Sequence, residues 1–275
     1  MIDTLIDTRK SDPLSDPPLL KLANHPKRKR TVRTAGQTLI HGECVTVMRS
    51  MDDESFDVVC SDPPYCAATK GASSKSVSSA KKYTSSDAKR QFHAFEGDYR
   101  DQRSFTVWNA IWMTEAYRLV RPGGAIACFM DYRNLCCVID AMQVAGFAYD
   151  GVVPWIKKQG RPRLGWFQTS QSEFVVVGRK GMVSRDQRRC GPKSLNESAP
   201  RQRIHPTQKP TELLKNLLSF RDDWQRILDP FAGGASTLVA ASELGRHATG
   251  IELSTHYFEL AAARLRSVSS AAKAA

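Results

Sequence analysis

Two consecutive prolines placed directly after an apolar run constrain this chain more than any other feature. Phe56-Asp57-Val58-Val59-Cys60 has the length and composition of a buried strand, and it runs into Ser61-Asp62-Pro63-Pro64-Tyr65. Proline lacks the amide hydrogen that a sheet ladder needs, and it fixes φ, so the chain must leave the sheet here. Asp62 is therefore expected at the carboxyl end of a strand, where open α/β sheets collect their ligands.

The remaining pattern supplies such a sheet. Thr38-Leu39-Ile40 reads as a strand start, Gly42-Glu43 as a turn and Cys44–Met48 as a short helix. Trp108, Ile111, Trp112, Ala116 and Leu119 recur at helical spacing, and Arg121-Pro122-Gly123-Gly124 is expected to stop that helix. Strands are predicted at 125–130, 151–156, 173–177, 226–229 and 248–253, with helices over 134–145, 211–220, 238–244 and 254–266. Strand alternating with helix predicts an α/β fold, Rossmann-like, with a mostly parallel sheet covered by helices on both faces.

The 275 residues suit one large domain. Residues 1–36, with Ser-Asp-Pro, Asp-Pro-Pro and the cluster Lys27-Arg28-Lys29-Arg30, read as a disordered N-terminal arm. The domain proper is expected over 37–266. It includes a Ser- and Lys-rich mobile loop at 67–104 and a short basic region at 178–204, and 267–275 form a flexible tail.

A second segment carries binding chemistry. Ile227-Leu228-Asp229-Pro230-Phe231-Ala232-Gly233-Gly234-Ala235-Ser236-Thr237 is followed by Gly250-Ile251-Glu252-Leu253. A strand, a glycine turn, a helix and a second strand ending in an acid make a mononucleotide-type half site. The glycines let a ligand approach the backbone, and the acid accepts from ribose hydroxyls. No Gly-Lys-Ser/Thr follows, so this is not a phosphate loop. The first segment suits a different task. An aromatic amine delocalises its lone pair into the ring and is a poor nucleophile. Asp62 and the carbonyl of Pro63 can each accept one amine hydrogen and free that lone pair. Pro64 helps to fix the corner, and Tyr65 is suited to stack on an extruded base. A plain Asp-Pro-Pro turn with a packed tyrosine is the alternative.

The formal charge of +12 favours a polyanionic partner, because neutralising phosphates releases condensed counterions. Seven cysteines, none in a CxxC pair, read as packing residues, with no metal site and no disulfide framework. No apolar run approaches the ~20 residues needed to span a bilayer, and residues 1–10 carry no apolar stretch. A cytoplasmic, nucleoid-associated protein is the expectation, with no membrane partner.

Three segments together resemble a known family. Asp-Pro-Pro-Tyr, then His205-Pro206-Thr207-Gln208-Lys209-Pro210, then Asp-Pro-Phe-Ala-Gly-Gly are similar to those of the amino-methylating DNA methyltransferases. Their order, catalytic motif first and cofactor loop later, is that of the permuted β class, and the resemblance covers 38–266. It implies an S-adenosylmethionine-dependent methyltransferase fold and methyl transfer to adenine N6 in double-stranded DNA by direct displacement. Asp62, Pro63, Pro64 and Tyr65 would hold and activate the base. Asp229, Phe231, Ala232, Gly233, Gly234, Ser236 and Thr237 would form the cofactor loop, and Glu252 would bind the ribose. His205, Thr207 and Lys209 would contact the methionine part of S-adenosylmethionine, and Glu43 would stand near its adenine. Phe129-Met130-Asp131 would wall the base pocket. Two departures appear: Gly-Gly-Ala-Ser stands where the family more often has Gly-Ser-Gly-Thr, and Glu43 where it usually has aspartate.

The same resemblance puts target recognition in the basic region 178–204, with Arg185, Arg188 and Arg189 on DNA and Arg161, Arg163, Trp166 and Gln168 joining from upstream. Lys81 and Lys82 in the 67–104 loop are further DNA-contact candidates. A solvated basic loop is the plainer alternative. A homodimer and a cognate restriction endonuclease stay open as partners. N4-cytosine methylation is the nearest competitor for the reaction, since both amines use the same chemistry. Methylation of RNA or of protein glutamine, and a non-catalytic DNA-binding protein retaining the fold, are more distant ones.

Overall fold

The structure is a computed structural model, and it describes residues 30–66, 100–157, 171–183, 190–198, 200 and 203–274, with the side chains of 270–274 left aside. Eight strands form one sheet: β1 (Arg30–Thr34), β2 (Gln37–His41), β3 (Phe56–Ser61), β4 (Val120–Met130), β5 (Ala148–Ile156), β6 (Ser172–Arg179), β7 (Arg226–Asp229) and β8 (His247–Glu252). The helices are α1 (Cys44–Met48), α2 (Gln102–Leu119), α3 (Leu135–Val144), α4 (Thr211–Leu218), α5 (Ser236–Glu243) and α6 (Thr255–Ala274). The strand order is β1-β2-β8-β7-β3-β4-β6-β5. Pairing is parallel from β2 through β4 and antiparallel at β1–β2, β4–β6 and β5–β6.

The expected α/β class holds, and the centre of the sheet shows why. All six residues of β3 are buried, as a strand covered on both faces requires. Val58, Val59, Ile126, Ile227, Leu228 and Ile251 are fully inaccessible in neighbouring strands. Helices α1, α2 and α3 pack against one another, and α4, α5 and α6 form a second group. Among the described residues no helix is long and apolar enough to cross a membrane.

The structure corrects four expectations. Residues 30–34, assigned to the arm, are β1, paired with β2 through a tight turn in which Ala35 and Gly36 both have positive φ. That is the geometry of a two-residue hairpin turn, formed here without the usual Asn-Gly signal. The arginines of β1 fit an edge strand, where charge discourages further pairing. The helix does end ahead of Arg121-Pro122-Gly123-Gly124, at Leu119, but β4 begins at Val120 and not at 125, so these residues are strand, tied by Gly123 N to Lys180 O (2.7 Å) and Lys180 N to Gly124 O (2.9 Å). A Cβ on Gly124 would come within 2.5 Å of Asp57 O, so this glycine serves close backbone approach. The segment expected as a tail from 267 instead continues α6 to Ala274, in keeping with its alanine content. Finally, the region 178–204 is not uniformly a loop. Arg179 ends β6 and pairs with Asp150. Leu195 is buried and bridges Trp155, with Ile156 N donating to Leu195 O at 2.8 Å.

The cysteines divide. Cys44, Cys60, Cys66 and Cys128 are buried thiols, whereas Cys137 is half-buried and Cys136 exposed, because α3 turns that side outward.

Candidate active site

Strands β3, β4, β7 and β8 run parallel, so their carboxyl ends share one edge of the sheet. Strand β6 runs the other way, and Phe174 pairs with Met130, which brings the start of β6 to that same edge. Asp62 follows β3, Asp229 ends β7 and Glu252 ends β8. Glu173, the second residue of β6, joins them.

A cleft opens at this edge. Its lining contains Asp62 from the diproline corner, His205, Thr207 and Lys209 from the His-Pro segment, and Asp229, Phe231, Ala232, Gly233, Gly234, Ser236 and Thr237 from the glycine bend, with Phe129 from β4. Residues 140 or more positions apart thus border one space. Ser61 links the two halves directly, donating from Oγ to Asp229 Oδ1 at 3.2 Å.

The glycine bend is held from several sides. Ala232 N donates to Ile251 O of β8 at 2.8 Å. Gly233 N and Ser254 N donate to the two carboxylate oxygens of Glu252 at 2.8 and 2.7 Å. Arg264 of α6, which the sequence did not single out, donates to Gly234 O (2.6 Å) and to Ser236 Oγ (3.1 Å). Ala235 sits at φ +59 just before α5. This left-handed conformation favours glycine, so Ala235 holds it at a local cost. Phe231 packs against Trp108 and Trp112 of α2, with ring centroids 5.4 and 5.2 Å away. The sequence marked both tryptophans only by their helical spacing.

Burial sets the charge state of the acids here. It lifts Glu252 to about 7, against the opposing pull of the Ser254 and Gly233 amides, with Asp229 adding to the rise. Burial likewise lifts Asp229 to about 6, opposed by hydrogen bonds from Thr237, Phe231 N and Ser61. His205 is neutral: burial, and then the charge of Lys209, press it down to about 3. Its Nδ1 lies 3.3 Å from Thr207 N, which donates to it, and its ring meets Tyr257 edge-on at 4.3 Å.

At the diproline corner, Lys209 Nζ donates to Asp62 Oδ2 at 2.6 Å and lies 3.3 Å from Glu173 Oε2. The ammonium is therefore directed at the Asp62 carboxylate. Asp62 Oδ1 is buried, and among the described residues no donor reaches it. Burial raises the Asp62 carboxyl, Lys209 opposes the rise and Glu173 adds to it. Tyr65 is buried, its hydroxyl donating to Glu173 Oε2 at 2.9 Å and its carbonyl accepting from Asn134 Nδ2 at 2.7 Å. Lys157 completes the cluster, 2.6 Å from Glu173 Oε1. Asp131, expected in the pocket wall, is instead occupied by Arg133, which donates from Nε at 2.9 Å.

Glu43 is placed differently from expectation. Both its oxygens cap α1, accepting from Val45 N (2.9 Å) and Thr46 N (2.7 Å). Burial raises its carboxyl, but those amides win and hold it below the usual value. It stands near β8 through Gly42 N, which donates to Glu252 O at 3.0 Å, yet it does not border the cleft. Lys81, Lys82, Arg161, Arg163, Trp166, Gln168, Arg185, Arg188 and Arg189 lie outside the described residues.

A family model described as DNA methylase matches residues 56–263. The chain belongs to the DNA methylase family. Its relatives include the type II methyltransferase M.HinfI of Haemophilus influenzae, 24% identical over 87% of this chain and 71% of that one. The type II methyltransferase M2.DpnII of Streptococcus pneumoniae is 27% identical over 82% of this chain and 88% of its own length. Among solved structures, the M1.HpyAVI–SAM complex superimposes with a TM-score of 0.57 at 22% identity, covering 83% of this chain and 99% of that one. The cytosine-N4-specific PvuII DNA methyltransferase does so with a TM-score of 0.63 at 13% identity, covering 86% and 92%. These structural likenesses establish the shared fold. A DNA partner follows from the family, and the choice between adenine N6 and cytosine N4 does not.

Proposed function

We propose that this DNA methylase transfers the methyl group of S-adenosylmethionine to N6 of adenine in double-stranded DNA. The observation that carries the reading is Asp62 Oδ1, a buried acceptor without a donor among the described residues, at a cleft that also contains the glycine bend. A buried polar atom without a partner costs about 1–3 kcal/mol, so such an atom at a binding site marks a place for an incoming donor. An exocyclic amine offers that donor. With Oδ2 held by Lys209, Asp62 presents one fixed oxygen to one N–H, and the Pro63 carbonyl is suited to the second.

The cofactor fits the residues present. Glu252 lies behind a bend whose glycines admit close backbone approach, and its carboxylate suits a ribose diol. Phe231, propped by Trp108 and Trp112, gives an apolar wall, Lys209 borders the end toward Asp62, and His205, with Thr207 beside it, lies over Gly233. When bound, the sulfonium supplies an activated methyl group with a good leaving group. The chain's own task is alignment and amine activation: Asp62 and Pro63 draw hydrogen bonds from the amine, and Tyr65 supplies a stacking face. Adenine is favoured over cytosine by the acid in first position of the Asp-Pro-Pro-Tyr motif.

We place target reading in the basic segments around 161–163 and 184–189, with Lys81 and Lys82 on the backbone, and the protein at the nucleoid. The type II relatives make a cognate restriction endonuclease the partner to look for, and sedimentation of the purified chain tests for a homodimer. Nucleoside mass spectrometry of plasmid from a methylation-free host tests the reaction. N6-methyladenine is expected; N4-methylcytosine alone moves the assignment to cytosine, and no modified base although folded protein that binds S-adenosylmethionine is present refutes methyl transfer to DNA.

A further inference from the structure

Glu173 belongs to no motif, yet three functional groups meet on it. Its Oε2 accepts from the Tyr65 hydroxyl at 2.9 Å and lies 3.3 Å from Lys209 Nζ, while Oε1 lies 2.6 Å from Lys157 Nζ. Lys209 reaches past it to Asp62 Oδ2 at 2.6 Å, and its ammonium lies 5.0 Å from the centre of the Tyr65 ring and 5.3 Å from that of Phe129. Asp62, Glu173, Lys157 and Lys209 form a quartet of two negative and two positive charges, in which the carboxyl of Glu173 is held down to about 2: burial pushes it up, but the two lysines outweigh that.

Two constraints follow. The buried Tyr65 hydroxyl has Glu173 as its acceptor, so the ring cannot swing without losing that bond. Lys209 divides its hydrogen bonding between two carboxylates, which leaves Asp62 Oδ1 without a donor among the described residues. We propose that Glu173 is a positioning residue for methyl transfer: it fixes the plane of the Tyr65 ring and draws part of the Lys209 ammonium, keeping one oxygen of Asp62 open to the target amine. This rests on the reading of Asp62 and Tyr65 given above. It adds a residue from an antiparallel strand that neither the diproline corner nor the glycine bend contains.

The charges give a test with opposite signs. The groups facing Asp62 are Lys209, Glu173 and Tyr65, with Asp229 and the thiols of Cys60 and Cys128 nearby. Among these, Glu173 raises the Asp62 carboxyl. Glu173→Gln keeps an acceptor for Tyr65 but removes the charge, so Lys209 turns fully to Asp62. Lys157→Met leaves the Glu173 charge less compensated, so Lys209 is drawn toward Glu173. With saturating S-adenosylmethionine and DNA, the acid limb of kcat is expected at lower pH in E173Q and at higher pH in K157M. In E173Q, kcat falls by up to about 100-fold, as small misplacements of reacting groups do, while the Kd for S-adenosylmethionine stays within about twofold by calorimetry. Unmoved limbs, limbs moving in the same direction, or a cofactor Kd that weakens as much as kcat in E173Q would overturn the proposal. Should E173Q fail to fold, the sign of the K157M shift decides alone. If the wild-type protein methylates no amine, the underlying reading fails first, and that result is distinct from either variant's.

Discussion

Lowering the pH from 8 to 6 is expected to weaken S-adenosylmethionine binding about tenfold, with Glu252 setting the size of the change. Its carboxyl sits at about 7 because burial disfavours the charge by more than the Gly233 and Ser254 amides restore. A ribose diol donates hydrogen bonds and therefore binds the carboxylate form, so the cofactor must displace the proton that the free protein holds below neutrality. About nine-tenths of the sites are ionised at pH 8 and about one-tenth at pH 6, and apparent affinity scales with that fraction. Asp229, at about 6, titrates lower and steepens only the most acidic points.

The sign can be checked against stability. An acid whose folded value is raised stabilises the fold below its unfolded value of 4.5 and loses that contribution as pH climbs through about 7. The loss amounts to about 3 kcal/mol at 1.36 kcal/mol per unit. Bound cofactor is thus expected to raise Tm most at alkaline pH. Calorimetric titrations from pH 6 to 8, in two buffers of different ionisation enthalpy, measure both Kd and the protons released. Glu252→Gln keeps the ligand's own titration and removes the protein's, so its slope should be shallower by the predicted factor. A flat wild-type profile, or an identical slope in the variant, refutes the assignment of the proton to Glu252.

Asp62→Ala is expected to abolish methyl transfer while leaving S-adenosylmethionine binding largely intact, since the carboxylate serves the base; calorimetry beside a labelled-methyl assay separates the two. Asp57, at the opposite end of β3, accepts from Arg121 Nε and Arg226 Nη2, both at 2.8 Å, and from the amides of Gln225 and Arg226. Asp57→Ala strips Arg226 and two backbone amides of their acceptor while Arg121 keeps Asp223, and should cost about 1–3 kcal/mol, seen as a fall of roughly 5 °C in Tm with activity retained below it. Replacing Arg188 and Arg189 by alanine should reduce the salt slope of DNA binding by up to about 2; an unchanged slope in filter-binding titrations returns that segment to a solvated loop.

Much of the site was legible because its chemistry is local. The diproline corner announces the end of β3, and the spacing from Asp229 to Glu252 describes one strand-turn-helix-strand unit. Helix α1 was legible over the same residues, Cys44–Met48, but its cap was not. Glu43 was read against a ligand, while the nearest unsatisfied donors were the amides of its own helix. The hairpin of β1 was missed because Ala-Gly is an uncommon turn pair and the strand is only five residues long. Glu173 and Lys157 were missed for a different reason. Their significance depends on β6 running antiparallel between β4 and β5, and strand direction leaves no trace in an apolar run such as Phe174 to Val177. The one available hint was an acid immediately ahead of that run, paired with a lysine just past the end of the preceding strand.

Strand order also explains how a chain whose diproline corner comes well ahead of its glycine bend can build an undivided site. β3 lies between β7 on one side and β4 on the other, so Asp62 stands at the boundary of two territories. The glycine bend, Asp229 and Glu252 follow from β7 and β8; Phe129, Glu173 and Lys157 come from β4, β6 and β5. In the proposed reaction the methyl donor occupies the first territory and the base the second, and they can meet only near the end of β3. Parallel pairing fixes that meeting place through Val58 against Ile227 and Ala125. It does not depend on which half is synthesised first. The Ser61–Asp229 hydrogen bond spans 168 positions, and it joins the halves as directly as a neighbouring residue would. In the connection between β6 and β7, Leu195 is anchored to β5 beside Trp155, on the side proposed for the base.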